Sequence, residues 1–205
     1  MVHFFALGTL LGLSAGFTPG PLLVLVVSET LQHNRWAGIR IAISPVLTDL
    51  PIILLTLFLV NGFSRSAIFL GIISIGGGCY VFYLGYKMIL TRAPGHAVQM
   101  STHASLKKGI MVNALSPHPY LFWLSVGAPT MIKALERNIF SALAFAGSFY
   151  VLLVGSKILL AILVGKSGDF LTGKSYISIL RILGLLLCLL AVLLFRDGLK
   201  LLEII

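Results

Sequence analysis

Six long apolar runs restrict what this 205-residue chain can fold into. They cover roughly residues 4–27, 39–60, 67–90, 109–131, 139–164 and 176–195. A helix that spans the hydrocarbon core of a bilayer needs about 20 predominantly apolar residues, so each run can cross a membrane once. Because the runs do not alternate polar with apolar residues, they predict helices and not the strands of a barrel.

The composition excludes soluble classes of protein. Hydrophobic residues make up 58% of the chain and charged residues 10%, with a mean hydropathy of +1.04. A soluble domain carries about 25% charged residues. The formal net charge is +9, but the basic residues lie scattered between the runs without a nucleic-acid motif, so no nucleic-acid partner is expected. We therefore expect an all-α integral membrane protein whose surroundings are the lipid bilayer.

Basic residues between the runs predict the orientation. The first, third and fifth connections, with their flanks, hold nine Lys and Arg against five on the other side. Cytoplasmic loops carry such an excess, which places these connections in the cytoplasm and both termini outside. Lys87 is expected to anchor the end of the third run. The first run lacks a basic n-region, so it predicts a retained helix and not a signal peptide.

A proline motif recurs at a constant offset. Thr18-Pro19-Gly20-Pro21 lies in the first run and Ser116-Pro117-His118-Pro119 in the fourth, so both prolines recur 98 residues on (117 − 19 and 119 − 21). Each half of the chain holds three runs, and an odd number inserts the second half upside down. The pattern predicts one membrane domain of two inverted three-helix repeats, 1–98 and 99–205, with broken helices 1 and 4.

The two proline motifs are the main candidate site. Proline removes a backbone donor and breaks a helix, and unwound backbone in hydrocarbon is tolerated only where it lines a cavity. The free N–H groups of the half-helix that follows suit a carboxylate. The alternative is a simple kink. We predict substrate contacts from the residues of the two motifs: Thr18, Pro19, Gly20, Pro21, Ser116, Pro117, His118 and Pro119.

Three further polar residues inside the runs are candidates. Asp49 is the only acid deep inside a run, where an ionised carboxylate costs about 2.5–3.5 kcal/mol. It could bind a substrate ammonium, carry a coupling proton or pair with a buried cation. Lys157 could snorkel to the interface, pair with Asp49 or contact a substrate carboxylate, and both are ion-coupling candidates. Asn113 could bond the substrate or the broken backbone.

Other chemistry has little support in the sequence. Cys79 and Cys188 lie far apart in apolar runs and are expected to be small buried hydrophobes. We expect no cofactor, and no enzyme because no nucleophile–base pair is present. A metal-ion exporter is an alternative, although Asp49 and His118 form a thin donor set. A thiol-redox conduit resembling CcdA is a less favoured one, since it would need a cysteine at each break.

Three segments resemble the LysE/RhtB translocators. G-F-T-P-G-P-L at 16–22 resembles the family's G-x-T-P-G-P-N, and Y-L-G-Y-K at 83–87 its Y-L-G-x-K. K-K-G-I-M-V-N-A-L-S-P at 107–117 resembles its G-x-x-x-N-x-x-N-P. The resemblance implies a secondary exporter of amino acids or similar small metabolites in the prokaryotic inner membrane, driven by an ion gradient. The motif residues that it implies for the core are Thr18, Pro19, Gly20, Pro21, Asn113 and Pro117.

Two positions depart from the family pattern. Leu22 and Ser116 stand where the family usually has Asn. Losing both amides indicates a divergent branch with a different substrate. Small residues such as Gly76, Gly77 and Gly78 predict close helix packing, and such faces also permit a homodimer.

Overall fold

The computed structural model describes residues 1–59, 63–90, 102–168 and 174–203, and these residues form helices without any strand. A π-helical turn, Trp123–Gly127, joins α6 to α7. The helices are α1 Val2–Phe17, α2 Pro21–Gln32, α3 Arg35–Leu59, α4 Phe63–Ile89, α5 Thr102–Ala114, α6 Pro117–Phe122, α7 Ala128–Arg137, α8 Ile139–Gly168 and α9 Lys174–Leu201. The predicted connections 61–66, 91–108 and 165–175 lie partly outside the described residues.

Several helices are long and apolar enough to cross a membrane. Within the described ranges there are four, Arg35–Leu54, Leu70–Ile89, Ile139–Lys166 and Ile177–Leu201, or up to five when α1 and α2 count as one bent span. Large apolar side chains such as Leu10, Val151 and Ile182 are exposed on their outer faces, as lipid requires. The all-helical membrane class is confirmed. The fourth predicted run, 109–131, is not one continuous span, because it is divided among α5, α6, the π-helical turn and α7.

The first proline motif separates α1 from α2. The two helices meet at 60° across Thr18, Pro19 and Gly20. Pro21 is the first residue of α2, where the missing N–H would have no helical partner in any case. The motif therefore ends one helix and begins the next at a new angle.

The second proline motif differs from its prediction. The chain leaves the helix at Leu115 and Ser116, and both Pro117 and Pro119 lie inside the first turn of α6. These prolines therefore begin α6 and do not flank an unwound His118. The reason is that the first turn of a helix needs no N–H donors from its own residues, so proline fits there.

Helix α3 continues through two prolines. Pro45 and Pro51 both lie inside it. Pro45 cannot bond the carbonyl of Ile41 four residues back, and the hydroxyl of Ser44 donates to that carbonyl at 2.7 Å instead. Asp49 is thereby held in a regular helix, with its side chain facing the interior and 4% exposed.

Two close helix pairs frame the interior. Helix α1 packs along α8, and α4 packs along α9. Glycine permits both approaches: a Cβ on Gly12 would lie 2.5 Å from the carbonyl oxygen of Phe149, and one on Gly85 2.7 Å from that of Gly184. Of the three consecutive glycines, Gly77 has the tightest surroundings, since a Cβ there would overlap the carbonyl of Leu115.

The helices define two ends of the bundle. We call the end at which α3, α5 and α9 begin the Arg35 end, and the end at which α1, α4 and α8 begin the Val2 end. Gly165, near the end of α8, would meet Arg35 if it carried a Cβ, which places the end of α8 at the Arg35 end. Helices α1 and α8 are parallel, because Gly8 faces Phe145 and Gly16 faces Leu152 and Ser156.

Replacing Gly12 with alanine is expected to lower the thermal stability of the purified protein. The added Cβ forces α1 and α8 apart, and such overpacking destabilises by about 1–3 kcal/mol. Gly155→Ala on α8 is the matched control, because a Cβ there meets nothing within 4 Å. An equal loss of melting temperature in both variants would contradict the close-packing role of Gly12.

Candidate functional site

A cavity of about 390 Å³ lies between the two breaks. Its size is in the range of small-molecule sites. Of the predicted site residues, all except Pro117 line it. They are Thr18, Pro19, Gly20, Pro21, Asp49, Asn113, Ser116, His118, Pro119 and Lys157. The structure thus brings residues of five helices and both breaks together, while the roles assigned to them stay predictions.

The first break presents free backbone donors to this cavity. Gly20 is the N-cap of α2 in an extended conformation, and no side chain caps the helix. The first residue, Pro21, has no N–H, and the next two, Leu22 and Leu23, line the cavity. The positive end of the α2 dipole therefore lies at the cavity wall.

Lys157 reaches the first break from α8. Its Nζ donates to the carbonyl oxygens of Ala15 at 3.2 Å and Gly16 at 3.1 Å, in the last turn of α1. A cation at a helix C-terminus compensates the negative end of the dipole. The side chain is 4% exposed, so it points inward and does not snorkel to the membrane surface. It also forms no ion pair with Asp49 within 4.0 Å.

Asp49 lies beside the second break. One of its carboxylate oxygens accepts a hydrogen bond from Nδ2 of Asn113 at 3.1 Å, and the other accepts one from the hydroxyl of Tyr150 at 3.3 Å. Asn113 Nδ2 also donates to Thr48 at 2.6 Å. Among the described residues, no cation lies within 4.0 Å of this carboxylate. It is therefore held by neutral donors.

An aromatic wall that the sequence analysis missed stands next to Asp49. Trp123 is fully buried at the start of the π-helical turn, and its ring packs edge-on against Phe122 and Phe149 and is stacked on Tyr150. Its Nε1 is buried without a partner in hydrogen-bond distance among the described residues, and Trp123 and Asp49 both line the cavity. Inside an apolar run, nothing in the sequence distinguishes such a ring from ordinary core.

The remaining predicted candidates are His118, Pro117 and the two cysteines. His118 Nδ1 lies 3.3 Å from the hydroxyl of Ser116, its neighbour across the start of α6. Pro117 is buried behind the cavity wall. No group of three or more His, Cys, Asp and Glu side chains that could hold a metal occurs within the described residues. Cys79 and Cys188 do not line the cavity, and neither is buried as expected, since Cys79 is exposed and Cys188 is half-buried.

A second charged cluster lies at the Arg35 end. Glu29 in α2 is 3% exposed and forms an ion pair with Lys108 of α5, with Nζ and Oε1 at 2.5 Å. Ser105 and His33 lie 3.4 and 3.6 Å from its other oxygen. The predicted first run ends at residue 27 and does not include Glu29. Helix α2 continues to Gln32, which makes Glu29 a second buried acid.

The comparison with protein families agrees with this architecture. The model of the LysE type translocator family matches residues 13–198. The chain belongs to the LysE type translocator family. Members of this family are transporters, which supports a non-enzymatic function here. With its apolar helices, the match makes this a multi-pass membrane protein of the LysE type. No curated protein and no solved structure is significantly similar to the chain.

Replacing Lys157 with methionine is expected to destabilise this LysE type protein. The carbonyls of Ala15 and Gly16 then lose their donor, and an unsatisfied buried acceptor costs about 1–3 kcal/mol. The measurement is the melting temperature of the purified protein. Lys166→Met is the matched control, because that lysine is exposed near the end of the same helix. Equal melting temperatures for the two variants would rule out the capping role of Lys157.

Proposed function

We propose that this protein is a secondary transporter that exports a small amino acid or related zwitterion across the inner membrane, coupled to an ion gradient. The observation that supports this most is the separation of charge in the cavity. Lys157 and the N-terminus of α2 lie at the first break, and Asp49 lies at the second. A zwitterion matches this arrangement with its carboxylate at the first break and its ammonium at the second.

The polarity of the helix ends supports the same assignment. At the first break, the negative end of α1 is neutralised by Lys157, which leaves the positive end of α2 for an anion. At the second break, Asp49 adds a full negative charge beside the C-terminal end of α5, which already carries partial negative charge. The first break therefore favours a negatively charged group of the ligand, and the second break favours a positively charged group.

The packing supports two inverted repeats, with residues 1–98 and 99–205 as the halves. Helix α1 packs along α8 of the other half, and α5 packs along α3 in the same way. Ala15 contacts Lys157, and Asn113 contacts Asp49, with offsets of 113 − 15 = 98 and 157 − 49 = 108. Lys157 and Asp49 thus each lie beside the break of the opposite half.

Alternating access follows from this arrangement. The cavity extends along α9 from Leu190 to Asp197, towards the Val2 end. At the Arg35 end, buried residues including Val26, Ile41 and Ala42 form a closed core. With the basic connections in the cytoplasm, as proposed, the Val2 end of the cavity would face the outside, and rocking of the two halves would open the site to the cytoplasm.

Asp49→Asn is expected to abolish amino-acid counterflow in proteoliposomes while expression and folding are retained. The amide keeps the size of the side chain but removes the charge that would bind the ammonium or the coupling proton. Glu136→Gln is the matched control, because this acid is exposed at the end of α7. Undiminished counterflow in Asp49→Asn would remove Asp49 from the mechanism.

A further inference from the structure

We propose that the amino acid carried by this protein has a bulky apolar side chain. This inference rests on the proposed function. It concerns the part of the cavity that the carboxylate and the ammonium of the substrate would not occupy. Once a zwitterion places its carboxylate at the first break and its ammonium at Asp49, the side chain must contact the remaining walls.

Those walls are apolar and come from three directions. Leu22 and Leu23 follow the first break on α2, Phe149 and Leu153 lie on α8, and Leu193 and Leu194 lie on α9. Leu22 occupies the position at which the family resemblance predicts an amide. The change from an amide to an isobutyl group removes a polar partner from the wall and adds apolar surface.

Three neutral polar side chains of the cavity are already engaged with other protein groups, whereas Nε1 of Trp123 has no hydrogen-bond partner among the described residues. Thr18 donates to the carbonyl of Ser14 at 2.6 Å, and Ser116 pairs with His118. Asn113 uses its amide group on Thr48 and Asp49. At Thr18, Ser116 and Asn113, a hydroxyl or amino group on a substrate side chain would compete with one of these bonds, and this competition weakens binding.

The other acid of the cavity lies at its mouth. Leu190, Leu193 or Leu194, and Asp197 follow one another at helical spacing on a single face of α9. At 1.5 Å per residue, Asp197 lies about 10 Å beyond Leu190 towards the Val2 end. It is partly exposed there, so the leucines and not the acid surround the deeper part of the cavity.

The test is thermal stabilisation of the purified full-length protein by single amino acids. Leucine, methionine and phenylalanine should stabilise it at concentrations at least about tenfold lower than serine, threonine and lysine, since a pocket discriminates apolar contacts by about that factor. Equal or stronger stabilisation by the polar set overturns this inference and leaves the proposed function standing. Failure of every amino acid overturns both.

A pair of variants on α9 tests the wall directly. Leu193→Asn should weaken leucine binding about tenfold and bring serine and leucine closer together. Leu189→Asn is the matched control, because it makes the same change on an exposed face of α9 outside the cavity. Equal leucine affinities in the two variants would exclude α9 from the side-chain site.

An independent observation carries a second inference: we infer that the ion pair between Glu29 and Lys108 is the lock that closes the Arg35 end. It joins α2 to α5, the half-helices next to the two breaks. The cavity reaches Leu23 on α2 and Val112 on α5. Towards the Arg35 end, Glu29 lies about 9 Å beyond Leu23, and Lys108 lies about 6 Å beyond Val112.

Low exposure to solvent and a further hydrogen bond strengthen the ion pair between Glu29 and Lys108. Glu29 is 3% exposed, and Lys108 is only partly exposed, so solvent screens the charges weakly. Ser105 adds a hydrogen bond to the same carboxylate. Opening a path between α2 and α5 requires this buried pair to separate, whereas the neighbouring Lys107 is exposed and does not hold the helices together.

The lock is tested with a reporter cysteine, Leu22→Cys, in a chain that lacks Cys79 and Cys188. A membrane-impermeant maleimide should label it from the Val2 end. Lys108→Met should raise labelling from the Arg35 end severalfold, whereas Lys107→Met should leave it unchanged. The exchange of Glu29→Lys with Lys108→Glu should restore the closed pattern. Equal labelling in the two methionine variants, or no restoration by the exchange, overturns the lock.

Discussion

Hydrocarbon offers no hydrogen bonds to an interrupted helix, and the rest of this structure depends on that constraint. At the first break, the terminal carbonyls of α1 are taken up by Thr18 and Lys157. At the second, the hydroxyl of Tyr120 donates to the carbonyl of Ala114 at 2.8 Å. Thr18 and Lys157 also line the cavity, so these two side chains both stabilise the first break and shape the proposed site.

Lys157 and Asp49, the two buried charged side chains that line the cavity, have different kinds of hydrogen-bond partner. Lys157 is satisfied by main-chain carbonyls, and Asp49 by the side chains of Asn113 and Tyr150. A direct ion pair would have consumed both charges and left little for a ligand. Because each charge is held by groups without a full opposite charge, each keeps an electrostatic attraction for a mobile partner. This difference separates a transport site from a structural salt bridge such as that of Glu29 with Lys108.

The sequence predicted the parts of this architecture that depend on local chemistry. Runs of apolar residues are sufficient for membrane helices, and the two proline motifs are sufficient to place the breaks. The position of Pro117 and Pro119 inside the first turn of α6 was not predicted. Contacts across the fold were beyond the reach of the sequence. The inward direction of Lys157 depends on the partner carbonyls in α1, and the position of Trp123 beside the site depends on its stacking on Tyr150. The length of α2 was underestimated because Glu29 looks like a surface residue until Lys108 is placed beside it.

The contact between the first break and a helix of the other half also determines the order in which the structure can be completed. The carbonyls of Ala15 and Gly16 lie 142 and 141 residues before the lysine that satisfies them. When α1 first enters the bilayer, its cap has not been synthesised, so its final turn must keep water, or translocon groups, as partners until α8 arrives. The first break therefore obtains its full set of hydrogen bonds late in synthesis. A truncated product that contains only the first half would have the terminal carbonyls of α1 inside the membrane without their lysine partner.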